Sequence, residues 1–272
     1  MQITVTDDFN LDKIIKSGQC FRAEKLVDGK YRFITGKHMV HILPIAPFLY
    51  EVDCSKNEWN SIWHTYFDLD TNYKKIRESI DNADVYLQKA AEYSKGIRIL
   101  RQDSFEMLIT FIISQRKSIP AIRDAINKLC IYGGEKIFHK NEEFLAFPTI
   151  ETLHQMTIEE LKSCSLGYRA SYIQKTIDLL IQKQIHMNHW TNLSDEDLVE
   201  KLMEFPGVGI KVANCVALFG YYRVSRAPID VWIDRVIQEV YEGNNPFTSY
   251  PVYAGIMQQY MFYYRREIGV QK

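Results

Sequence analysis

The sequence lacks an excess of charge of either sign. Its 272 residues include 33 lysines and arginines against 34 aspartates and glutamates, so the formal net charge at pH 7 is −1. No global basic field therefore indicates a nucleic-acid partner, and a function of that kind needs a local motif. The hydrophobic fraction of 46% and the charged fraction of 25% are ordinary for a globular chain, which excludes wholesale disorder.

Cysteine is also scarce, and its spacing excludes the usual cysteine-based metal centres. The five cysteines, which form neither a CxxC pair nor a close set of four, are Cys20, Cys54, Cys130, Cys164 and Cys215. This spacing does not suit an iron–sulfur cluster or a structural zinc site, and we predict no cofactor. An odd number of cysteines behind a polar start, MQITVTDDFN, indicates free thiols and a cytoplasmic location, nucleoid-associated in a bacterium.

Apolar residues occur only in short segments. None reaches the roughly 18 residues needed to span a bilayer, so we expect a monomer without a membrane partner. In residues 1–55, the segments YRFITG and HMVHILPI have the β-branched and aromatic composition of strands, with a turn at residues 28–30. Leu11, Ile14 and Ile15 share one helical face and predict a short helix before Gly18.

From Lys56 onward the apolar residues follow helical spacing, as in SFEMLITFIIS. Helix starts are indicated by Ser118 ahead of a proline and by Thr157-x-x-Glu160, which has the pattern of a capping box. We therefore predict an α+β fold that is mostly α. A small antiparallel β/α domain over residues 1–95 packs on an all-helical body over residues 96–272.

The most informative stretch is LMEFPGVGIKVANCVALFGYYRVSRAPID, residues 202–230. One helix is expected to end near Glu204 and another to open at Lys211, which gives a helical hairpin over about residues 195–220. Gly207 and Gly209 allow positive φ and the close approach of another backbone. Amides at the start of the second helix then suit a phosphate oxygen, as in a helix–hairpin–helix that binds DNA backbone without reading sequence. A plain helical hairpin is the alternative.

Lys211 and Asp230 are the candidate catalytic residues. The positive end of the helix dipole and partial burial both disfavour the charged form of Lys211, and a neutral amine is what attack on a sugar carbon requires. Asp230 follows a proline and precedes VWIDRVIQEV, so the dipole of that helix should keep it ionised. An ionised aspartate can stabilise an oxocarbenium-like sugar. The ordinary alternatives are a solvated lysine and a helix N-cap.

These features resemble the helix–hairpin–helix DNA glycosylases with a Gly/Pro-rich loop and a following aspartate, and among them the 8-oxoguanine DNA glycosylases. Six segments carry the resemblance in the same order over most of the chain: GQCFRA (18–23), GIRILRQDSFEMLITFIISQ (96–115), LGYRASYI (166–173), FPGVGIKVANC (205–215), PIDVW (228–232) and the pair Gln258 and Phe262. The resemblance implies removal of 8-oxoguanine from duplex DNA by base flipping, followed by Schiff-base lyase chemistry.

The resemblance also implies roles for individual residues. Lys211 attacks C1′ and Asp230 stabilises the charge on the sugar. Gly18 offers its carbonyl to the N7–H that distinguishes 8-oxoguanine from guanine. Gln258 binds the Watson–Crick edge, and Phe262 and Cys215 enclose the flipped ring, which matches the contacts that an extruded base needs. The alternatives are a core aromatic for Phe262, a small buried residue for Cys215 and an exposed polar residue for Gln258.

The resemblance places a further group of residues on the DNA. Tyr168 and Arg169 are expected beside the orphaned partner base. Arg116, with Gln115 or Lys117 nearby, stands where eukaryotic members have asparagines and is expected to enter the duplex as a wedge.

Two positions depart from the eukaryotic pattern. Trp232 replaces a histidine and can still donate its indole N–H to a phosphate. Ala121 occupies the position of a second arginine that reads the opposite cytosine, so we expect that base to be read weakly.

Two other functions remain open at this point. A monofunctional alkylpurine glycosylase would use Asp230 and water without a lysine nucleophile, and the segment SQRKSI favours it. A non-catalytic helix–hairpin–helix module would use only the hairpin for docking. No side-chain metal site is predicted, although the backbone carbonyls of Met203, Phe205 and Val208 could coordinate an ion together with phosphate.

Overall fold

The computed structural model describes residues 1–140 and 142–269. Over these residues the chain forms a five-stranded sheet, a two-stranded sheet and a largely helical body. The strands are β1 (Gln2–Thr4), β2 (Ala23–Lys25), β3 (Tyr31–Thr35), β4 (His38–Ala46), β5 (Leu49–Val52), β6 (Lys136–His139) and β7 (Glu142–Leu145).

The five-stranded sheet has the order β1-β5-β4-β3-β2, and its neighbouring strands are antiparallel. The two strands expected from YRFITG and HMVHILPI are β3 and β4, which pair Tyr31 with Ile42 and Phe33 with Val40. All four side chains are buried, because residues two apart along a strand lie on the same face. Gly29, with φ of +85°, forms the predicted turn before β3.

Fourteen α-helices lie within the described ranges, and two π-helical turns and two 3₁₀ turns connect or follow them. The helices are α1 (Leu11–Lys16), α2 (Lys56–Glu58), α3 (His64–Tyr66), α4 (Tyr73–Glu78), α5 (Val85–Tyr93), α6 (Ser104–Ser114), α7 (Ile119–Gly133), α8 (Ile150–Gln155), α9 (Ile158–Leu161), α10 (Arg169–Gln182), α11 (Asp195–Met203), α12 (Ile210–Gly220), α13 (Val231–Val240) and α14 (Ala254–Ile268). The π-helical turns are Trp59–Trp63 and Lys162–Leu166, and the 3₁₀ turns are Met187–Asn192 and Pro246–Ser249.

Helix starts that the sequence indicated are present. The Ser118 hydroxyl caps α7, with a proline in its first turn. Thr157 and Glu160 form the predicted capping box of α9, in which each side chain accepts a hydrogen bond from the other residue's main-chain N–H. The short helix before Gly18 is α1, and its buried residues are the expected Leu11, Ile14 and Ile15. Local hydrogen bonding therefore sets these boundaries.

The molecule has two hydrophobic cores. The first joins the five-stranded sheet to α1 and α3 and includes Phe33 and Trp63, while the second fills the helical body. Helices α4 and α5 supply Tyr73 and Leu87 to the second core, and α5 packs along α14. These two helices precede the predicted boundary at residue 95, which stays a prediction. Buried Arg98 donates to the carbonyls of Asp8 and Asp68 at 2.6 Å each, and thereby ties the first core to the second.

The expectation of an all-helical body is wrong. Strands β6 and β7 form an antiparallel hairpin between α7 and α8, with Ile137 paired to Phe144. Each strand has only four residues, and Phe144 is the buried apolar residue that anchors them to the structure. Because the residues on either side follow helical spacing, this short alternating segment was not recognised as a pair of strands. None of the helices in the described ranges is long and apolar enough to cross a membrane.

Candidate active site

Helices α11 and α12 form the predicted hairpin, since α11 ends at Met203 and α12 begins at Ile210. Gly207 has φ of +79°, and a Cβ there would lie 2.4 Å from the ring of Tyr172. Glycine is therefore required at this position, although a side chain approaches it and not the expected backbone. Gly209 has φ of −94°, so the expected positive φ is wrong there. No described atom lies within 4 Å of a Cβ built on Gly209, which leaves the start of α12 open.

Lys211 and Asp230 lie at the starts of two different helices. Lys211 is the second residue of α12, is half-buried, and places Nζ 5.7 Å from the ring centroid of Phe111. Asp230 lies at the start of α13, as predicted, and is its N-cap, the alternative that the sequence left open: its Oδ1 accepts hydrogen bonds from the main-chain N–H groups of Trp232 at 3.0 Å and Ile233 at 2.9 Å. The cap fixes the carboxylate, and the helical hairpin positions the amine.

The electrostatics of Asp230 differ from the sequence expectation. Burial raises the pKa of its carboxyl, and this effect outweighs the lowering by the α13 amides and by the nearby charge of Lys211. The helix dipole was expected to control the pKa, but the direction of the shift is the opposite one. Desolvation wins because the carboxylate lies in a partly closed cavity, where its charged form loses hydration.

A cavity of about 580 Å³ brings both groups together. Its lining joins α1, α6, α7, α12, α13 and α14 and consists of Ile15, Lys16, Gly18, Phe21, Phe111, Ser114, Lys117, Ser118, Ile119, Pro120, Ile122, Arg123, Lys211, Asp230, Trp232, Phe262 and Arg266. The volume and the mixed apolar and cationic lining suit a flat aromatic ligand that carries negative charge nearby. An amine, a carboxylate and aromatic rings therefore face one partly open cavity.

Gly18 and Phe262 are in direct contact at the cavity wall. Gly18 has φ of +78°, and a Cβ there would lie 3.2 Å from Phe262 Cε1 and 3.3 Å from Ile119 Cδ1. A side chain at this position would both strain the backbone and push the Phe262 ring. The two residues, which are 244 positions apart in the sequence, therefore lie side by side in the cavity wall.

Cys215 and Gln258 do not belong to the lining. Cys215 is buried beneath Lys211 on α12, and burial raises the pKa of its thiol, with the Lys211 charge acting in the opposite direction. Gln258 is buried, not exposed, and its Oε1 accepts a hydrogen bond of 3.1 Å from Gln259 Nε2. Both side chains are therefore buried and lie outside the cavity lining in this structure.

The loop between α6 and α7 exposes one of the three predicted wedge residues. Arg116 is exposed and has φ of +52°. Gln115 points inward and donates to the carbonyl of Gly207 at 3.1 Å, which connects this loop to the hairpin. Lys117 donates to the carbonyl of Ser165 at 2.8 Å, and burial lowers the pKa of its amine. Arg116 is therefore the residue that this loop presents to solvent.

Tyr168 and Arg169 have different surroundings. Tyr168 is 51% exposed, whereas Arg169 is buried and lies with its guanidinium carbon 4.4 Å from the Tyr168 ring centroid. The Arg169 guanidinium donates to the carbonyls of Gln115 and Leu166. Arg169 thus binds the main chain of the loop between α6 and α7, and of the two residues only Tyr168 is exposed to solvent.

Two further predictions concern the hairpin and its surroundings. Trp232 is half-buried and lines the cavity, with Arg235 5.7 Å from its ring centroid. Of the residues whose carbonyls could hold an ion, Met203 is the last residue of α11, and Phe205 and Val208 lie in the turn that follows it. One of these carbonyls is already engaged, since Phe205 accepts a hydrogen bond of 3.0 Å from the main-chain N–H of Val208.

Some cavity residues were missed by sequence reasoning. Phe111 faces Lys211 and stacks on Phe219 at 5.5 Å, and Arg266 lies 5.3 Å from the Phe262 ring centroid. Arg266 follows Phe262 by one helical turn, so the helical period could have identified it. Nothing in the local sequence distinguishes Phe111 from its apolar neighbours on α6.

Comparisons with known proteins identify the family of this chain. A family profile described as "8-oxoguanine DNA glycosylase, N-terminal domain" matches residues 2–108. The N-glycosylase/DNA lyase of Saccharomyces cerevisiae is 32% identical over 259 residues, which cover 85% of this chain and 68% of the yeast protein.

Two solved structures extend the similarity over nearly the whole chain. The Clostridium acetobutylicum 8-oxoguanine glycosylase/lyase, in complex with duplex DNA containing cytosine opposite 8-oxoguanine, has a TM-score of 0.90 and 32% identity, covering 99% of this chain and 98% of that one. MBOgg1 in complex with a low-affinity DNA ligand has a TM-score of 0.92 and 33% identity, covering 98% and 96%. The chain therefore belongs to the 8-oxoguanine DNA glycosylases of the helix–hairpin–helix superfamily.

Proposed function

We propose that this chain removes 8-oxoguanine from duplex DNA in base-excision repair and then cleaves the abasic strand through a Schiff base. The observation that carries the proposal is the single cavity that joins Lys211 and Asp230 to Gly18 and Phe262. The substrate class comes from the relatives, which are named N-glycosylase/DNA lyase and 8-oxoguanine glycosylase/lyase.

Lys211 is the proposed nucleophile. Its uncharged Nζ attacks C1′ while the C1′–N9 bond breaks, and the base leaves with the bonding electron pair. The nitrogen then loses a proton and the ring oxygen leaves C1′, which produces the Schiff base. Loss of the C2′ proton next allows β-elimination of the 3′ phosphate. Asp230 stabilises the positive charge that develops on the sugar during the first step.

Recognition of the flipped base uses the wall opposite the lysine. Gly18 is proposed to accept a hydrogen bond from N7–H at its carbonyl, and the Phe262 ring stacks on the base. Gln258 and Cys215 are buried outside the lining, so their predicted contacts with the base require lining side chains to move when the base enters.

The DNA backbone is proposed to contact the hairpin. Amides at the open start of α12, next to Gly209, are suited to phosphate oxygens and contribute affinity without sequence reading. Exposed Arg116 fills the gap that the extruded nucleotide leaves, with Tyr168 beside the partner base. The Trp232 indole N–H can bind a phosphate at the cavity mouth.

The alkylpurine glycosylase and the non-catalytic binding module were the alternatives that the sequence left open. Neither needs an amine facing the cavity, whereas the glycosylase/lyase requires one. The test is incubation with a duplex that contains 8-oxoguanine in the presence of borohydride, which reduces a Schiff base to a permanent protein–DNA bond. We expect a covalent adduct on a denaturing gel with the parent protein.

Lys211→Gln should abolish this adduct and leave DNA binding largely intact. Lys201→Gln is the matched control, since Lys201 lies on α11 of the same hairpin, 5.9 Å from the Trp190 ring centroid and away from the cavity lining. An undiminished adduct with Lys211→Gln would contradict the assignment of the nucleophile. Excision of alkylated purines without any adduct would support the monofunctional enzyme.

A further inference from the structure

A second cluster of chemically active side chains lies away from the cavity. His41 in β4, Asp53 directly after β5 and His139 at the end of β6 bring one potential ligand atom each to within 4.8 Å of one another. His41 lies in β4 and Asp53 follows the adjacent strand β5, whereas His139 belongs to the β6–β7 hairpin. His139 is 86 residues from Asp53, and only the packing of the hairpin on the sheet brings it to the other two residues.

Asp53 is held so that one oxygen faces both imidazoles. Its Oδ1 accepts a hydrogen bond of 2.8 Å from the main-chain N–H of His41. Its Oδ2 lies 2.9 Å from His41 Nδ1 and 3.0 Å from His139 Nε2. The main-chain bond orients the carboxylate, and the two ring nitrogens converge on the second oxygen.

The far side of His41 has a partner that suits metal binding. His41 Nε2 lies 3.2 Å from the Glu142 carboxylate at the start of β7, and Arg32 of β3 binds the same carboxylate. A metal on Nδ1 requires the ring proton to reside on Nε2, and Glu142 can accept that proton in a hydrogen bond. Metal-binding histidines in proteins very often donate their second nitrogen to a carboxylate in this way.

From this geometry we propose that His41 Nδ1, His139 Nε2 and Asp53 Oδ2 form a zinc site that joins the β6–β7 hairpin to the N-terminal sheet. Two imidazoles and a carboxylate are a ligand set that zinc accepts, with water in the fourth position. Tetrahedral zinc with bonds of about 2.0–2.1 Å separates its ligands by roughly 3.3 Å. The separations of 2.9 and 3.0 Å between Asp53 Oδ2 and the two ring nitrogens need to open by a few tenths of an ångström, and the ring nitrogens, which lie within 4.8 Å of each other, need to reach the same spacing.

Burial of the cluster favours a specific site. The side chains of His41 and His139 are 11% and 14% exposed, and that of Asp53 is 25% exposed, so water can reach the fourth position. Lys140 places Nζ 4.0 Å from the same Asp53 oxygen, but its side chain is 62% exposed and can turn to solvent. Zinc would therefore crosslink two segments that otherwise meet through hydrogen bonds and ion pairs.

The test is zinc binding to the full, tag-free chain without DNA, after removal of metals with a chelator. Calorimetric titration should give one saturable site, and Co²⁺ should give the absorption bands of a four-coordinate ion. His139→Ala should weaken zinc binding by more than about 100-fold, and Glu142→Gln by about tenfold, because Glu142 only orients a ligand. His189→Ala, an exposed histidine of a 3₁₀ turn, is the control and should leave the affinity unchanged.

Thermal unfolding supplies a second measurement. Zinc at a concentration 100-fold above its Kd should raise the Tm of the parent protein by about 5 °C and that of His139→Ala by much less. If a variant of a direct ligand does not fold, zinc binding can still be tested with Glu142→Gln. Absence of saturable binding in the parent, or equal affinities in the parent and His139→Ala, would overturn the proposal. Neither result would bear on the trapping of Lys211, because that measurement uses a different site.

Discussion

Asp230 and Asp53 are both half-buried aspartates near the end of an element, yet their pKa values shift in opposite directions. Burial raises the pKa of both carboxyls. At Asp230 burial dominates, whereas at Asp53 the hydrogen bonds from His41 and His139 outweigh burial and hold the pKa well below its usual range. The difference comes from the donors: main-chain amides and a neighbouring lysine at one site, and two converging imidazoles at the other.

This difference distinguishes the proposed catalytic role of Asp230 from the stabilising role of Asp53. The Asp230 carboxylate is less stable when charged, so it gains more when a positive charge develops beside it. The Asp53 carboxylate is already satisfied by its neighbours and holds two parts of the chain together. Predictions that alter either aspartate therefore test whether function and stability are separated in this way.

The largest effect is expected for Asp230→Asn. The amide cannot stabilise the positively charged sugar, so single-turnover excision of 8-oxoguanine should fall by about 100-fold. Duplex affinity should change little, since the contribution is to the transition state. Fluorescence anisotropy and quenched-flow rates on one duplex measure the two quantities. A loss of affinity equal to the loss of rate would assign Asp230 to binding.

The same substitution should stabilise the protein. Because the folded-state pKa of Asp230 is raised, its contribution to stability is fully present below the unfolded value of 3.8 and is lost as pH rises through the folded pKa. At neutral pH the charged form is therefore unfavourable, and Asp230→Asn should unfold at a higher urea concentration than the parent. A lower unfolding midpoint would show that the two α13 cap bonds matter more than the charge.

Phe262→Ala should slow excision by about tenfold or more. Stacking of a base on an aromatic ring contributes roughly 1–3 kcal/mol, and the Phe262 ring is the aromatic face in contact with Gly18. Gln258→Ala should act in the same direction through lost hydrogen bonds. Phe48→Ala, at a position that is 56% exposed, is the control. Parent rates for both pocket variants would show that the pocket is wrongly located.

Asp53→Asn should destabilise the metal-free protein by about 1–2 kcal/mol, since charged hydrogen bonds to both imidazoles weaken. The pH dependence of the stability contribution of Asp53 has the opposite sign to that of Asp230. With a lowered folded pKa, the contribution of Asp53 is present above its unfolded value of 3.8 and is lost as pH falls through the folded pKa. Urea unfolding of parent and variant should therefore converge in acid. A constant difference at every pH would contradict this mechanism.

The last prediction concerns the base opposite the lesion and extends the comparison to cationic side chains. Lys211 faces the cavity, whereas the Arg169 guanidinium is occupied by main-chain carbonyls. Ala121 has no donor, and a missing bidentate contact relaxes base discrimination by about ten- to a hundredfold. We expect similar single-turnover rates opposite all four bases, with Ala121→Arg restoring part of a cytosine preference. A strong cytosine preference in the parent would refute this prediction.

Local patterns predicted those parts of the structure that depend on neighbouring residues. The α11–α12 hairpin, the Asp230 cap and the pairing of β3 with β4 follow from glycine, proline and apolar spacing, which act within a few residues. The β6–β7 hairpin was not predicted, because two strands of four residues each are too short to show a clear alternating pattern. The positions of Gln258 and Cys215 outside the lining were not predicted, because a helical face indicates which residues are buried but not which of them line a cavity.

The sequence by itself determined the fold class and the candidate pair Lys211 and Asp230, because these depend on short-range spacing and on motifs in a fixed order. Only the tertiary structure brought Gly18 near Phe262 and His139 to His41 and Asp53, since these contacts join segments that are distant in the chain. It also decided the direction of the Asp230 pKa, because desolvation depends on everything packed around a group and not on its own helix.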